Sequence, residues 1–334
     1  MDAGVSAGIW RYASALPAVE PRYRVTLGEG GTPLILAPRL AGAIGIRTLY
    51  LKLESQNPSG SFKDRGTALA VSLALASGAT HLVEDSSGNA GASAAAYAAR
   101  AGLRCTIFVP ASAPAAKLRQ AAAYGAAVET VPGSREEVTA AARKAAKRKE
   151  VYHLDHNASA AFATGTGTIA HELAEAFQRV PSVVMPVGGG SILAGCFDVF
   201  RDGDREPPPL FAVQPESCAP IAQAMAAGWT NPVRATPRPT IAGGITIADP
   251  PRGELLLRAL RATGGGAVAV ADEAIMRWGR MLARLEGVYA EPTAAAAVAG
   301  LAKLVASRII PADGGAVVII TGSGLKDEAS ARAP

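Results

Sequence analysis

Three short segments rich in glycine and serine hold most of the side chains in this 334-residue sequence that could do chemistry. The first is NPSGSFKDRG, Asn57 to Gly66, where a Pro-Ser-Gly turn leads into an apolar-rich helix with Lys63 in its opening turn. A lysine there faces the positive end of the helix dipole, which disfavours the ammonium and moves the amine toward its neutral, nucleophilic form. Such an amine can form a Schiff base with a carbonyl compound. On its own, though, the segment reads more simply as the start of an ordinary surface helix. The second is EDSSGNAGASAAAYAARAG, Glu84 to Gly102. Here Ser86, Ser87, Gly88, Asn89 and Ala90 would present amides and hydroxyls at a helix N-terminus, a ready site for a carboxylate. A plain capped helix accounts for Ser or Asn as a cap but not for so many small polar groups, so both readings stay open. The third is VVMPVGGGSILAGCF, in which Gly188, Gly189, Gly190 and Ser191 join a buried strand to a helix, and bare backbone there can approach a phosphate. The spacing is irregular for G-x-G-x-x-G, and G-x-x-x-x-G-K-[ST] occurs nowhere, so a dinucleotide or Walker-type site gains little support.

Short β-rich runs alternate with Ala-rich helical runs and must position these turns. The strand runs are TLYLKLE (48–54), HLVED (81–85), CTIFVP (105–110), AVETVP (127–132), VVMPV (183–187), LFAVQ (210–214), AVAVA (267–271) and AVVIIT (316–321). The pattern is that of an α/β protein with largely parallel sheets, two sheets rather than one, and ligands at the carboxyl ends of the strands. Irregular stretches lie at Asp202 to Leu210 and Trp229 to Pro251. With 49% hydrophobic residues the chain can bury a sizeable core. The net charge of +5, from 33 basic and 28 acidic residues, is spread along the chain, unlike a nucleic-acid footprint. The basic run around Arg143 to Lys149 reads as a solvated helix face. Three cysteines without C-x-x-C spacing indicate neither a disulfide framework nor a zinc knuckle, and no metal is expected. No stretch is long and apolar enough to span a membrane, and the N-terminus lacks a leader pattern. A cytoplasmic protein without nucleic-acid or membrane partners is the expectation.

In this order the segments resemble the fold-type II enzymes that use pyridoxal 5'-phosphate (PLP), the tryptophan synthase β superfamily, and most of all its threonine synthase branch. The resemblance begins at LGEGGTPL (Leu27 to Leu34), runs through NPSGSFKDRG, SSGNAGASAAAYAARAG and PVGGGS, and ends in EPTAAAAVAGL (Glu291 to Leu301) and TGSGLKDE (Thr321 to Glu328). It implies two α/β domains with PLP in the cleft between them, a smaller one over residues 50–155 and a larger one from residues 1–49 plus 156–334. It also implies a homodimer acting on a small amino-acid substrate. By the same resemblance Lys63 carries the cofactor as a Schiff base and moves protons at the substrate carbons, and Asn89 bonds the cofactor's phenolic oxygen. Gly188, Gly189, Gly190 and Ser191 hold its phosphate, Thr321 faces its pyridine nitrogen, and Ser87, Gly88 and Ala90 hold the substrate carboxylate.

The chain departs from threonine synthases at His156 to Thr168, HNASAAFATGTGT, where the branch has the form N-S-x-N-P-Y-R-x-x-G-Q-K-T. Phe162 stands at the substrate-binding arginine and Gly167 at the lysine. Losing a charge-assisted arginine contact costs on the order of 1.5–3 kcal/mol, which disfavours O-phosphohomoserine as substrate. Phe162→Arg is then expected to restore affinity for a phosphorylated substrate by up to roughly a hundredfold, unless Lys117 or Arg119 already supplies the cation. Ser323 also replaces the histidine of T-G-H-G-L-K-D. The function expected is a PLP-dependent lyase of the threonine synthase kind. The alternatives are a β-eliminating or β-replacing enzyme resembling serine and threonine dehydratases, or a PLP-binding protein without catalysis.

Overall fold

The structure is a computed structural model that describes residues 8–326, apart from the side chains of Ala116 and Lys117. Asp327 and Glu328, which close the last motif, lie outside the described residues. The strands are β1 (Leu34–Leu36), β2 (Thr48–Lys52), β3 (His81–Glu84), β4 (Arg104–Pro110), β5 (Ala127–Val131), β6 (Val151–His153), β7 (Ser182–Pro186), β8 (Leu210–Pro215), β9 (Gly266–Val270) and β10 (Gly315–Ile319). All eight runs picked from the sequence contain a strand. β1 and β6, three residues each, are too short to show a period.

The chain divides into two units, residues 1–31 with 57–168 and residues 32–56 with 169–334. The first holds a wholly parallel four-stranded sheet in the order β5-β4-β3-β6. Its core gathers Ile9, Trp10, Leu69, Tyr97, Ile107, Leu154 and Phe162. The second holds a six-stranded sheet, β1-β2-β10-β7-β8-β9, parallel except for the β1–β2 pair. The nearly continuous apolar runs Val183–Val184 and Val317–Ile319 are buried, as strands covered on both faces must be.

These boundaries differ from the expected 50–155 division, for reasons of hydrogen bonding. The N-terminal segment belongs with the smaller sheet: Trp10 Nε1 donates to the Val25 carbonyl at 2.9 Å, the Val25 amide to Ser72 Oγ at 2.8 Å, and the Tyr97 hydroxyl to Glu29 Oε2 at 2.7 Å. Residues 50–56 follow the other sheet, because β2 pairs with β10 and the Ser55 amide donates to the Ile320 carbonyl at 3.0 Å. Residues 156–168 stay with the first unit, where Arg65 Nη1, fully buried, donates to Thr168 Oγ1 at 3.0 Å. In the second unit, Lys52 Nζ lies 2.5 Å from Glu172 Oε2 and donates to the Thr32 carbonyl at 2.6 Å, a buried ion pair with one further acceptor.

Candidate active site

In the first unit, Asn57 and Asp64 shape the turn that presents Lys63. Asn57 Oδ1 accepts from the Gly30 amide at 2.9 Å. The buried Asp64 carboxylate accepts from the Ser59 amide at 2.6 Å, the Ser59 hydroxyl at 2.5 Å and the Ser93 hydroxyl at 2.6 Å. With those bonds made, a helix starts at Lys63 and runs to Ala76. Lys63 Nζ lies 4.8 Å from the centroid of the Phe62 ring and 5.5 Å from that of Phe162. Each ring favours the ammonium by about 0.5–2 kcal/mol, in opposition to the helix dipole.

Phe162, placed at the substrate by the motif comparison, is a core residue. Its side chain is fully buried, and a Cβ added at Gly66 would come within 2.6 Å of its Cδ1, so the ring fills the space that glycine leaves on the Lys63 helix. It borders Lys63 but offers no exposed surface to a substrate. The proposed replacement cation Arg119 is exposed, and the side chain of Lys117 lies outside the described residues.

β3 ends at Glu84 and the serine-rich loop leads into the helix Asn89–Ala101, which no side chain caps. Ser87, Gly88 and Asn89 are half-buried and Ala90 is buried, with the Gly88 amide donating to Ser86 Oγ at 3.2 Å. An uncapped helix start of this kind presents amides to an anion.

Beside the loop lies a cluster that sequence reasoning did not single out: Glu84, Asp85 and His156, all buried, with side-chain ligand atoms within 4.8 Å of one another. His156 Nδ1 is 2.9 Å from Glu84 Oε1. Burial, and then the charge of Asp85, push the Glu84 carboxyl well above the usual carboxylate range. Burial, and then the charge of Lys63, hold His156 well below the usual imidazole range. For Asp85, burial works in the same upward direction, yet Arg135 at 3.3 Å and the Thr139 hydroxyl outweigh it and bring the group down to about 2. The only sequence sign of this cluster was the acidic pair ahead of SSGN. His156 lies 72 residues from Glu84, and only the pairing of β3 with β6 brings them together.

In the second unit the glycine turn and Thr321 gather at one sheet end, because β7 and β10 are adjacent and parallel and both segments follow them. Gly190 has φ +79° and precedes the helix Ser191–Asp202, again without a side-chain cap. A Cβ at Gly190 would stand 2.5 Å from Leu256 Cδ1, and one at Gly188 would stand 3.0 Å from Ile245 Cα. Arg252 Nη1 approaches the Gly189 carbonyl at 3.4 Å, and Ser191 is buried. Thr321 is buried, and its Oγ1 has no hydrogen-bond partner among the described residues. A bare glycine turn at an open helix start and an unpaired hydroxyl at the same sheet end suit a ligand with a phosphate at one end and a ring nitrogen at the other.

Helix starts of this kind, on largely parallel α/β sheets, define a class, and the sequence agrees with it. Residues 25–322 match the family model described as pyridoxal-phosphate dependent enzyme, and the chain belongs to that family. It is a PLP-dependent lyase. It is 37% identical over 328 residues to a threonine synthase of Methanocaldococcus jannaschii, covering 96% of this chain and 81% of that protein. Among solved structures it is similar to maize serine racemase, with TM-score 0.81, 23% identity and coverage of 96% of this chain and 94% of that one. It is also similar to threonine deaminase isoform 2 of Solanum lycopersicum, with TM-score 0.80, 23% identity and coverage of 95% and 86%. These structural likenesses establish the fold. No described helix is long and apolar enough to cross a membrane.

Proposed function

We propose that this lyase eliminates or replaces a substituent on a small amino acid whose leaving group carries less charge than a phosphate. The observation that carries this reading is Phe162: a wholly buried ring beside Lys63 stands where the motif comparison expects a phosphate-binding cation. When bound, PLP draws electrons from the substrate α-carbon and so makes its proton removable. In this reading Lys63 holds the cofactor covalently and, once released, its amine takes the proton from the α-carbon and returns one where the product needs it. The uncapped amides from Ser87 to Ala90 orient the substrate carboxylate. Asn89 would donate to the cofactor's phenolic oxygen, Gly188, Gly189, Gly190 and Ser191 would hold its phosphate, and Thr321 would serve its ring nitrogen. A hydroxyl there withdraws less charge through the ring than a carboxylate partner would, which favours elimination over transamination.

A threonine synthase proper, acting on O-phosphohomoserine, is the second reading, favoured by the 37% identity to a relative of that name. Steady-state assays for α-keto acid, free phosphate and threonine across a panel of amino acids and their phosphorylated forms separate the two. Efficient threonine release from the phosphorylated substrate would overturn the first reading. The anchor is tested independently. Lys63→Ala should keep the fold by circular dichroism, lose the visible imine absorbance and lower turnover by orders of magnitude.

A further inference from the structure

Glu84 and His156 form a buried titratable pair that the chemistry above does not use. Glu84 ends β3 fully buried, immediately before the serine-rich loop. Its Oε1 accepts from the Asp85 amide and lies 2.9 Å from His156 Nδ1, while Oε2 has no hydrogen-bond partner among the described residues. A buried, unpaired carboxylate oxygen costs about 1–3 kcal/mol, more when charged, so this geometry favours a carboxyl with its proton on Oε2. Asp85 is a poor host for that proton, since Arg135 Nη2 is 3.3 Å from its Oδ2 and the Thr139 hydroxyl donates to the same atom. One ring links the pair to Lys63. His156 and Phe162 meet edge to face with centroids 6.1 Å apart, and Lys63 Nζ is 5.5 Å from the Phe162 centroid.

We propose that Glu84 and His156 are positioning residues for Lys63, Glu84 carrying a proton whose presence removes a negative charge near the lysine and leaves its amine neutral and nucleophilic. The proposal rests on Lys63 being the cofactor anchor. Glu84 faces Asp85 beside it, Lys63 from the Lys63–Ala76 helix, His153 from β6 and Cys105 from β4. His156 faces Lys63, Asp85, the neighbouring Asp155, and Arg135 from the helix Arg135–Ala145. As pH rises Glu84 loses its proton, turns negative and stabilises the Lys63 ammonium. The lysine therefore gives up its own proton at higher pH than it would beside a neutral side chain. A divalent cation is disfavoured in the cluster, because Arg135 already neutralises Asp85 and a protonated Glu84 offers no negative charge.

The test mixes the full-length chain with pyridoxal phosphate and follows the rate of imine formation against pH, which reads the fraction of neutral Lys63 amine rather than turnover. Glu84→Gln should move the midpoint down by on the order of one pH unit. His156→Ala removes a partner of ionised Glu84, so it should shift the midpoint the same way, yet change nothing further in the Glu84→Gln background. A midpoint unmoved in Glu84→Gln, or equal His156→Ala shifts in both backgrounds, overturns the pair. Absence of imine in the unsubstituted chain would instead overturn Lys63 as anchor. Should Glu84→Gln fail to fold, infrared spectroscopy of the unsubstituted chain decides: a protonated buried carboxyl band at neutral pH supports the proposal and its absence overturns it. Zinc or manganese retained stoichiometrically, and lost in His156→Ala, would make the cluster a metal site and overturn it as well.

Discussion

Phe162→Arg separates a motif argument from a structural one. By motif alignment the substitution restores a phosphate contact worth on the order of 1.5–3 kcal/mol. The structure reverses the expectation. The Phe162 ring is fully buried in the first unit's apolar cluster, and Gly66 lacks a Cβ where one would lie 2.6 Å from it. Truncation alone, as in Phe162→Ala, should cost about 3–5 kcal/mol through lost burial and the cavity left behind. Arginine adds an unpaired guanidinium to the same space, with Lys63 Nζ 5.5 Å from the centre of the ring it replaces. The loss should then reach or exceed about 4 kcal/mol, larger than any phosphate contact can return. Urea unfolding of the three proteins measures the stability change, and titration with a phosphorylated amino acid measures affinity. Phe162→Arg within about 1 kcal/mol of the parent, with phosphosubstrate binding tightened tenfold or more, would refute the packing argument.

Two further substitutions probe the second unit. Glu172→Gln removes the carboxylate that pairs with the buried Lys52 ammonium, whose Nζ also donates to the Thr32 carbonyl, and should cost about 3–5 kcal/mol in chemical denaturation. Lys52→Met combined with Glu172→Leu should recover most of that loss, and a double variant no better than the single one would contradict the ion-pair account. Gly190→Ala forces a Cβ to 2.5 Å from Leu256 Cδ1 at φ +79°, a strain of about 1–3 kcal/mol. It should weaken PLP binding in an absorbance titration, and unchanged affinity would count against the phosphate role of this turn.

The three segments of the candidate site were legible in the chain as helix starts because their signals are local. The turn NPSGSFKDRG, the small-residue helix after SSGN and the run PVGGGS each need particular residues within about ten positions, and each holds a helix start where its pattern indicates. The α/β class and two sheets followed from alternating apolar runs, which report burial on both faces without reference to partners. What tertiary structure decided depends on residues far apart. Trp10 and Val25 draw the N-terminal segment onto the smaller sheet, although nothing in that segment's composition names a partner. Position 162 aligns with a cation, yet its meaning depends on the missing Cβ of Gly66, almost a hundred residues away. Glu84 and His156 meet because β3 and β6 lie side by side. Burial and charge at such positions are sums over neighbours that only the folded chain assembles, so periodicity and spacing carry no trace of them.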